Sequence, residues 1–312
     1  MIILGDRYTF SKVEIERLKR RFRTITQISY KNSTSQDSID SLKKLLKDQK
    51  DILIVLNTKV KLPHELLTYL TKLESSDIKY ITLEHFLEKY LNKCYIDLNT
   101  NTNAFLEDIH DYSPLQYLQK RLVDYVAIAC LFPITLASVL VTWYKIQKES
   151  PGPLFFVQKR IGKGQKEFPC IKLRSMHTDA EKHGAKFASD NDPRTFPWGS
   201  TIRYTKLDEL MQLCNILKGD MHFVGPRPER KVWTAEFEKE IPYYAKRHTI
   251  RPGITGLAQI KYQYGSGKLD AKEKLMYDLY YIKNWNIFLE LKIIWNTALF
   301  VLTKKRQDLS NF

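Results

Sequence analysis

The sequence predicts an α/β protein in three successive parts: a small parallel α/β domain, a bent apolar helix that enters a membrane, and a compact α+β domain. Three observations predict this organisation. Short apolar runs alternate with amphipathic stretches up to residue 97. A stretch of nineteen uncharged residues follows at Tyr125–Trp143. After Ser150 the chain mixes short helical patterns with many loops that contain Gly and Pro.

Strand and helix patterns alternate through the first part. Strands are predicted at Met1–Leu4, Thr24–Tyr30, Ile52–Asn57 and Ile78–Leu83, and helices at Ser11–Arg21, Ser38–Asp48, Leu62–Leu73 and Glu84–Asn92. Helices between successive strands favour a parallel sheet over residues 1–97. Gly5-Asp6-Arg7 follows the first strand without the glycines of a dinucleotide-binding turn. A structural or interaction role is therefore favoured over nucleotide binding.

A linker and a membrane helix are predicted next. The stretch Asp97–Pro114 is rich in Asn, Thr and Asp, and the linker is placed at residues 98–118. The membrane helix is placed at residues 119–149, because Tyr125–Trp143 has about the length that crosses ~30 Å of hydrocarbon. The alternative is a buried core helix.

Pro133 lies near the middle of this apolar stretch and is expected to bend the helix, since proline removes one helical hydrogen bond. Such a helix can span the bilayer or turn back within it. Basic residues flank both ends of the stretch, and neither neighbouring part is rich in cysteine. Turning back, with the break at Pro133 and both parts in the cytosol, is therefore favoured.

Charge restricts the class of partner. The 50 Lys and Arg residues exceed the 35 Asp and Glu residues, and the net charge is +15. A nucleic acid, an anionic lipid or a phosphorylated substrate would satisfy this charge. Nucleic acid is disfavoured, because the chain contains no recognition motif for it.

Two adjacent acids are the strongest candidates for chemistry. In Ile202–Glu229, Thr205 precedes Asp208 by three residues, a capping-box spacing that predicts a helix start, with leucines at helical spacing facing the core. Asp208 and Glu209 would then lie in the first turn, near the positive end of the helix dipole. One could attack a phosphate while the other holds a metal ion. The alternative is a pair of ordinary acids at a helix start.

Basic residues beside loops supply the counterpart. Arginine and lysine side chains suit phosphate oxygens, and the candidates are Lys172, Arg174, Arg203, Arg227 and Arg251. Any one of them could instead be a solvated surface charge. Five of them in one loop-rich domain that also carries paired acids favour a phosphate site.

The C-terminal stretch Ala271–Lys304 is amphipathic and rich in Tyr, Trp and Phe, and the basic run Lys304-Lys305-Arg306 follows it. Aromatic residues at headgroup level and basic residues toward anionic lipid are typical of interfacial helices. This stretch is therefore expected on the membrane surface. The alternative is a core helix with exposed tyrosines.

Residues 120–305 carry a set of motifs in a characteristic order: KRLVDY, SPGPLFFVQKRIG, FPCIKLRSM, NDPR, TKLDELMQLCNILKGDMHFVGPRPE, RPGITGLAQI and YDLYYIKNW. This region resembles the bacterial sugar transferase family, the monotopic polyprenyl-phosphate phosphoglycosyl transferases. Phe132-Pro133 stands where that family often has Ser-Pro. The stretch IKYQYGSGKLDAKEKLMY resembles the larger exopolysaccharide-type members, and residues 1–97 resemble their degenerate Rossmann-like domain.

The resemblance implies transfer of a sugar 1-phosphate from a nucleotide diphosphate sugar, of the UDP-glucose or UDP-galactose type, to polyprenyl (undecaprenyl) phosphate. It implies Asp208 as the nucleophile, Glu209 as the Mg²⁺-associated acid, and the five basic residues at the active site. Residues 150–312 would then be the catalytic domain.

The resemblance also implies a cellular location and a role in the synthesis of surface glycans. The enzyme would act at the cytosolic face of the bacterial inner membrane, against anionic lipid, and would start a surface glycan or exopolysaccharide. The alternative is an inactive membrane adaptor that recruits partners through its first domain. The sequence leaves the oligomeric state open, a homo-oligomer included.

Overall fold

The computed structural model describes residues 1–28, 35–46, 52–58, 62–74, 78–97, 106–182, 184, 192–262, 265 and 267–303. The chain divides into two compact units, and the boundary in the sequence falls between Tyr95 and Ile96. Each unit is described by itself.

The first unit is a parallel sheet with helices between its strands, as the alternating pattern predicts. The strands are β1 (Ile2–Leu4), β2 (Thr26–Ile28), β3 (Leu53–Leu56) and β4 (Lys79–Thr82). The helices are α1 (Lys12–Arg21), α2 (Ser35–Leu46), α3 (His64–Glu74) and α4 (Leu83–Phe86), the last continued by a π-helical turn at Leu87–Leu91. All neighbouring strands are parallel, in the order β2-β1-β3-β4.

The predicted elements of this unit are confirmed with shorter strands. Ser11 caps α1 through a capping box with Glu14, which explains why the helix starts there. Ser29 and Tyr30 of the second predicted strand lie outside the described residues, as do Lys47 and Asp48 of the second predicted helix. Apolar side chains from β1, β3, α2 and α3 form the core.

Hydrogen bonds link the loop that follows β1 to Asn57, which follows β3. The Asn57 side chain accepts a hydrogen bond from the Tyr8 amide at 2.8 Å and donates to the Tyr8 carbonyl at 2.9 Å. Gly5 has φ +106°, and a Cβ there would lie 2.3 Å from the Asn57 carbonyl oxygen. A sheet of this kind binds ligands in the crevice between such strands, and here a loop of the chain fills that space.

The second unit combines two small sheets with seven α-helices and four short 3₁₀ helices over its described residues. Its strands are β5 (Phe155–Ile161), β6 (Glu167–Leu173), β7 (His222–Val224) and β8 (Gly253–Thr255). Its α-helices are α5 (Pro114–Glu149), α6 (Pro197–Thr205), α7 (Leu213–Lys218), α8 (Lys231–Glu240), α9 (Leu257–Lys261), α10 (Lys268–Lys283) and α11 (Ile287–Thr303). Short 3₁₀ helices lie at Leu106–Asp108, Lys163–Gln165, Leu207–Gln212 and Tyr244–Thr249. Strands β5 and β6 pair antiparallel, and β7 and β8 pair parallel.

Helix α5 is the one helix among the described residues that is long and apolar enough to cross a membrane. It begins at Pro114, inside the predicted linker 98–118, because Ser113 and Gln116 form a capping box and Pro114 suits the first turn. The linker prediction is therefore wrong from Pro114 onward, and residues 98–105 lie outside the described residues. The helix continues through Pro133 to Glu149.

Both ends of the apolar stretch of α5 form hydrogen bonds with other elements of the second unit. On one side, Asp124 accepts hydrogen bonds from the Phe223 amide at 2.8 Å and pairs with His222 at 2.7 Å. On the other side, the Trp198 indole donates to the Thr142 hydroxyl at 3.0 Å. Large apolar side chains between these anchors are exposed, among them Phe132, Ile134, Leu136 and Leu140. This exposed apolar surface is typical of contact with lipid.

A buried ionic network holds the start of α5. The Lys120 ammonium donates to Glu290 at 2.6 Å, to the Val224 carbonyl at 2.6 Å and to the Tyr281 hydroxyl at 3.0 Å. The Trp285 indole donates to the same Glu290 carboxylate at 2.9 Å. The network therefore ties α5, α10 and α11 to the end of β7.

The C-terminal aromatic residues divide between core and surface. Tyr277, Tyr281 and Trp285 are buried, so the prediction that they lie at the membrane surface is wrong. The reason is that α10 packs against α8, α9 and the helix at Tyr244–Thr249 and is covered on most of its surface. Phe288 and Trp295 on α11 are exposed, as an interfacial helix requires. Lys304, Lys305 and Arg306 lie outside the described residues.

Candidate active site

The acidic pair lies on the 3₁₀ helix Leu207–Gln212, between α6 and α7, and not on the α-helix that the capping spacing predicts. Thr205 does not cap it, because its hydroxyl donates back to the Thr201 carbonyl at 2.8 Å and closes α6. Lys206 then adopts φ +63° and reverses the chain. The turn buries Asp208 and Glu209. Of the leucines predicted to face the core, Leu213 is buried, Leu207 and Leu210 are partly buried, and Leu217 is exposed.

Two cations from different elements converge on Glu209. The Lys172 ammonium of β6 donates to Oε1 at 2.6 Å. The guanidinium of Arg227, in the loop after β7, donates to Oε1 at 2.7 Å and to Oε2 at 3.2 Å. Burial acts to raise the pKa of Glu209, but Arg227 and Lys172 outweigh it and hold that pKa well below its ordinary value. Glu209 is therefore a fixed anion.

Asp208 has the opposite environment. Its Oδ1 is buried and has no hydrogen-bond partner among the described residues. Burial and the neighbouring charge of Glu209 raise the pKa of Asp208 to about 6, although Lys172, Arg203 and Lys206 act to lower it. An oxygen without a hydrogen bond keeps its lone pairs available, and a carboxyl with a pKa of about 6 is ionised at neutral pH; both properties suit a nucleophile.

The structure places the five predicted basic residues in three locations. Lys172 and Arg227 bind Glu209, and Arg203 on α6 lies near enough to Asp208 to influence its pKa. Arg251 lies elsewhere, with its guanidinium 5.1 Å from the centre of the Tyr117 ring.

Arg174 is occupied by the end of α5. Its guanidinium donates to the Pro153 carbonyl at 2.6 Å, to the Ser150 hydroxyl at 2.8 Å, to the Met176 carbonyl at 3.2 Å and to the Ser150 carbonyl. It is buried and orders the turn that leaves the membrane helix. The expectation that Arg174 holds phosphate is therefore corrected: the residue positions the turn Ser150–Pro153.

Sequence reasoning missed several charged groups beside the acids. Lys206 contributes to the charge around Asp208, and Arg160 approaches Glu229 at 3.7 Å. Arg247 lies at 2.9 Å from Asp278 and also donates to the Arg227 carbonyl at 3.0 Å. Lys206 lies within the TKLDE motif and Glu229 within the GPRPE motif, and these positions were the available signal. Nothing in the spacing marked Arg247 and Asp278, which are 31 positions apart in the sequence.

No three His, Cys, Asp or Glu side chains lie together as a metal site within the part of the chain that the structure describes. Mg²⁺ often binds through one or two carboxylates together with substrate phosphates. The unpartnered Asp208 Oδ1 and the adjacent Glu209, where three donor atoms approach a carboxylate with about four lone-pair sites, fit that mode.

The exposed apolar helix α5 is compatible with a membrane location, and a buried acidic pair lies among cations in the same unit. Comparison with known families makes this specific: the bacterial sugar transferase model matches residues 115–304. The chain belongs to this family.

Curated relatives carry related names. A UDP-N-acetylgalactosamine-undecaprenyl-phosphate N-acetylgalactosaminephosphotransferase of Aeromonas hydrophila is 42% identical over 191 residues, which is 61% of this chain and 45% of the relative. A UDP-glucose:undecaprenyl-phosphate glucose-1-phosphate transferase of Xanthomonas campestris is 39% identical over 192 residues, 60% of this chain and 39% of the relative. An enzyme of the latter name from Caulobacter vibrioides is 37% identical, over 60% of this chain and 70% of the relative. The match therefore spans less than half of the first two relatives.

Proposed function

We propose that this protein transfers a sugar 1-phosphate from a nucleotide diphosphate sugar to undecaprenyl phosphate and releases the nucleoside monophosphate. The observation that carries the proposal is the buried Asp208 carboxylate, whose Oδ1 has no partner among the described residues, beside Glu209, which Lys172 and Arg227 hold as an anion. Family membership and the names of the relatives support the reaction class.

The first step is attack by an Asp208 carboxylate oxygen on the β-phosphorus, the phosphorus that carries the sugar. A bond forms between this oxygen and phosphorus, and the bond to the bridging oxygen breaks. The electron pair leaves with the nucleoside monophosphate, and an aspartyl phosphosugar remains. In the second step an oxygen of polyprenyl phosphate attacks the same phosphorus and releases Asp208. Two displacements replace one more difficult displacement between two anions.

The cations have distinct tasks in these steps. Arg203 and Lys206 lie near Asp208 and are placed to attract the diphosphate. Lys172 and Arg227 surround Glu209 and neutralise charge that develops on the phosphate oxygens. Mg²⁺, which Glu209 would hold together with substrate phosphate oxygens, would neutralise further charge on the diphosphate. Arg251, whose guanidinium lies over the Tyr117 ring near the start of α5, is proposed to bind the phosphate of the lipid substrate.

The donor is proposed to be a uridine diphosphate sugar. The sequence resemblance favours glucose or galactose, and the names of the relatives add N-acetylgalactosamine to the sugars worth testing. The relative from Rhizobium leguminosarum named as an exopolysaccharide production protein supports a role in starting exopolysaccharide or another surface glycan.

The active unit is proposed to sit on the cytosolic face of the inner membrane, with α5 re-entering the side from which it came. The anchors at Asp124 and Thr142 support this topology, because both flanks of the apolar stretch bond to one compact unit. A straight span would place the flanks about 27 Å apart on opposite faces. The alternative of an inactive adaptor has no specific observation in its favour.

Release of nucleoside monophosphate tests the proposal. Purified protein in detergent is incubated with undecaprenyl phosphate, Mg²⁺ and each of UDP-glucose, UDP-galactose, UDP-N-acetylglucosamine and UDP-N-acetylgalactosamine. At least one donor should release UMP and yield the lipid diphosphate sugar, and a chelator should abolish the release. Absence of UMP release with every donor and with Mg²⁺ present would overturn the proposed function.

A further inference from the structure

The first three residues of β5 form an apolar segment that is exposed on both faces of the β5–β6 hairpin. Phe155, Phe156 and Val157 are 43%, 37% and 55% exposed. Successive side chains of a strand point to opposite faces, so Phe155 and Val157 lie on one face and Phe156 lies on the other. A hairpin that covers a core usually presents polar side chains on its outer face. Residues 155–157, here called the apolar end of β5, instead present apolar surface on both faces.

The opposite end of the same hairpin is charged. Its turn carries the exposed Lys163 and Lys166, and β6 begins at the exposed Glu167. Since a strand rises about 3.4 Å per residue, the seven residues of β5 separate the two ends of the hairpin by about 20 Å. The hairpin is therefore amphipathic along its length.

The apolar end of β5 lies next to the end of α5. Helix α5 ends at Glu149, and residues 150–154 connect it to β5. The Arg174 guanidinium donates to the Pro153 carbonyl at 2.6 Å and to the Ser150 hydroxyl at 2.8 Å. Because these bonds hold the connecting turn, the position of the apolar end is fixed relative to α5.

The side chains that border the apolar end are typical of a membrane interface. Trp143 and Tyr144, near the end of α5, are both more than half exposed, and these residue types favour the level of the lipid headgroups. The Lys148 ammonium donates to the Tyr144 hydroxyl at 2.5 Å. The side chain of Lys159, two residues beyond Val157, is 80% exposed. Lysine cations at these positions attract anionic headgroups.

A bilayer fits this segment better than a second copy of the chain does. An interface between two folded proteins covers one face of a hairpin, whereas acyl chains can surround both faces. The apolar end is also continuous with the exposed apolar side chains of α5, such as Leu140 and Val141, through the exposed Trp143 and Tyr144.

We propose that the apolar end of β5 inserts into the interfacial layer of the bilayer, beside the end of α5, as a further membrane contact of this unit. Phe156 lies directly opposite Lys172 in the hairpin, and the Lys172 ammonium donates to Glu209 at 2.6 Å. Insertion therefore holds the acidic pair close to the membrane surface, where the phosphates of membrane lipids lie. The proposal rests on α5 lying in the membrane and not on the reaction proposed above.

Quenching of fluorescence by lipids tests the insertion. The variants Phe155→Cys and Val157→Cys are made in the full-length protein without its four native cysteines, and each is labelled with bimane. The proteins are reconstituted in vesicles of phosphatidylethanolamine and phosphatidylglycerol that contain spin-labelled acyl chains. Both labels should lose emission, most strongly to spin labels near the headgroup, because interfacial segments are buried by about 5–10 Å.

Two further positions calibrate the measurement. Lys166→Cys, at the charged end of the same hairpin, is the matched control and should keep its emission. Phe132→Cys, in the apolar stretch of α5, is the reference for a label inside the bilayer and should be quenched.

A second measurement uses the unmodified protein, because removal of the buried Cys94 and Cys170 alters packing. Vesicles that contain a phospholipid with a diazirine in its acyl chain are irradiated, and peptide mass spectrometry locates the lipid adducts. Adducts should form at residues 155–157 and in α5, and not at residues 162–166.

Quenching of Phe132→Cys without quenching of Phe155→Cys and Val157→Cys would overturn the insertion. Quenching that requires added polyprenyl phosphate would overturn it in favour of the acceptor chain. Cross-linking of Phe155→Cys between two copies, in place of quenching, would overturn it in favour of self-association. Absence of quenching at all of these positions would contradict the membrane location of α5 and the insertion together.

Discussion

The two adjacent acids have opposite environments, and this difference assigns their roles. Glu209 is bound by Lys172 and Arg227 and stays ionised, whereas the buried Asp208 has an unpartnered oxygen and a pKa of about 6. Pairs of titratable groups whose surroundings move their pKa values apart are typical of catalytic sites. In this account Asp208 reacts, while Glu209 orients cations and contributes to metal binding.

The pH dependence of the first step should follow ionisation of Asp208. Because its pKa is raised to about 6, the nucleophilic carboxylate is present above that pH and is lost as pH falls through it. We expect kcat/KM for the donor to be level above about pH 7 and to fall about tenfold per pH unit below 6. Initial rates at subsaturating donor measure this profile. A midpoint near pH 4 would contradict the assignment.

Two variants test whether the acidic limb of the pH profile reports ionisation of Asp208 or of another group. Burial also raises the pKa of Asp278 to about 6, so Asp278→Asn should leave the acidic limb in place. Arg203→Gln removes a positive charge that acts to lower the pKa of Asp208, and the limb should therefore move to higher pH. The reverse pattern would assign the limb to Asp278.

Glu209→Gln should reduce turnover by about 100-fold, a loss comparable to removing one preorganised electrostatic contact. The neutral amide cannot hold both Lys172 and Arg227, and its metal affinity is weaker. Initial rates across a Mg²⁺ titration measure the effect, with Glu236→Gln as the control. Wild-type rates for Glu209→Gln at limiting Mg²⁺ would exclude the metal role.

At the scale of single residues, the sequence predicted most of the charged residues that surround the acidic pair, but not which side chains are buried. Lys172, Arg203 and Arg227 do surround the acidic pair. Arg174 could not be separated from them by spacing, because its partners are main-chain oxygens that appear only when the turn after α5 forms. Spacing likewise did not show that the two acids would be buried, because they follow the left-handed turn at Lys206.

At the scale of elements, the start of α5 is held by charge inside the protein. Lys120 and Glu290 are both fully buried at a distance of 2.6 Å, and Lys120 also bonds to Val224 at the end of β7. Arg227 follows Val224 by three residues. The packing of α5 and α11 therefore fixes the loop that supplies Arg227 to the acids.

Lys120→Met should destabilise the protein by about 3–5 kcal/mol, because it leaves the Glu290 carboxylate buried without its cation. Denaturant unfolding of detergent-solubilised protein measures the change. Lys148→Met on the exposed end of α5 is the control and should stay within about 0.5 kcal/mol of wild type. Equal stabilities of the two variants would contradict the network. The double variant Lys120→Met/Glu290→Gln should recover part of the loss.

The proposed re-entry of α5 can be tested by topology. Single cysteines at Gln119 and Gln147, in a background without the four native cysteines, report the two flanks of the apolar stretch. Both should be labelled from the cytosolic side alone. Pro133→Leu restores the missing backbone donor and should move the 147 position toward the opposite face. Phe132→Leu, one position away, should not. Labelling of either flank from outside in otherwise unmodified protein would exclude re-entry.

At the scale of the whole molecule, the periodicity of apolar residues and the composition of the sequence predicted the class of fold. The parallel sheet of residues 1–95 follows from strand and helix patterns that alternate, and α5 follows from its uncharged length. Composition could not divide the C-terminal aromatic residues between surface and core. That division depends on which elements cover α10, and those elements lie far away in the sequence. Helix α5 starts earlier than the apolar run predicts, because its capping residue Ser113 and its first residue Pro114 lie before that run.

The central claim is a covalent phosphosugar on Asp208, and it can be trapped. Purified protein is incubated with Mg²⁺ and a UDP-sugar labelled in the sugar, without undecaprenyl phosphate. Label should become bound to the protein with release of an equal amount of UMP, and hydroxylamine should remove it, as it removes acyl phosphates. Peptide mass spectrometry should locate the label on Asp208, and Asp208→Asn should neither take up label nor turn over. Full turnover by Asp208→Asn, or wild-type kinetics that require both substrates before any UMP appears, would contradict the account.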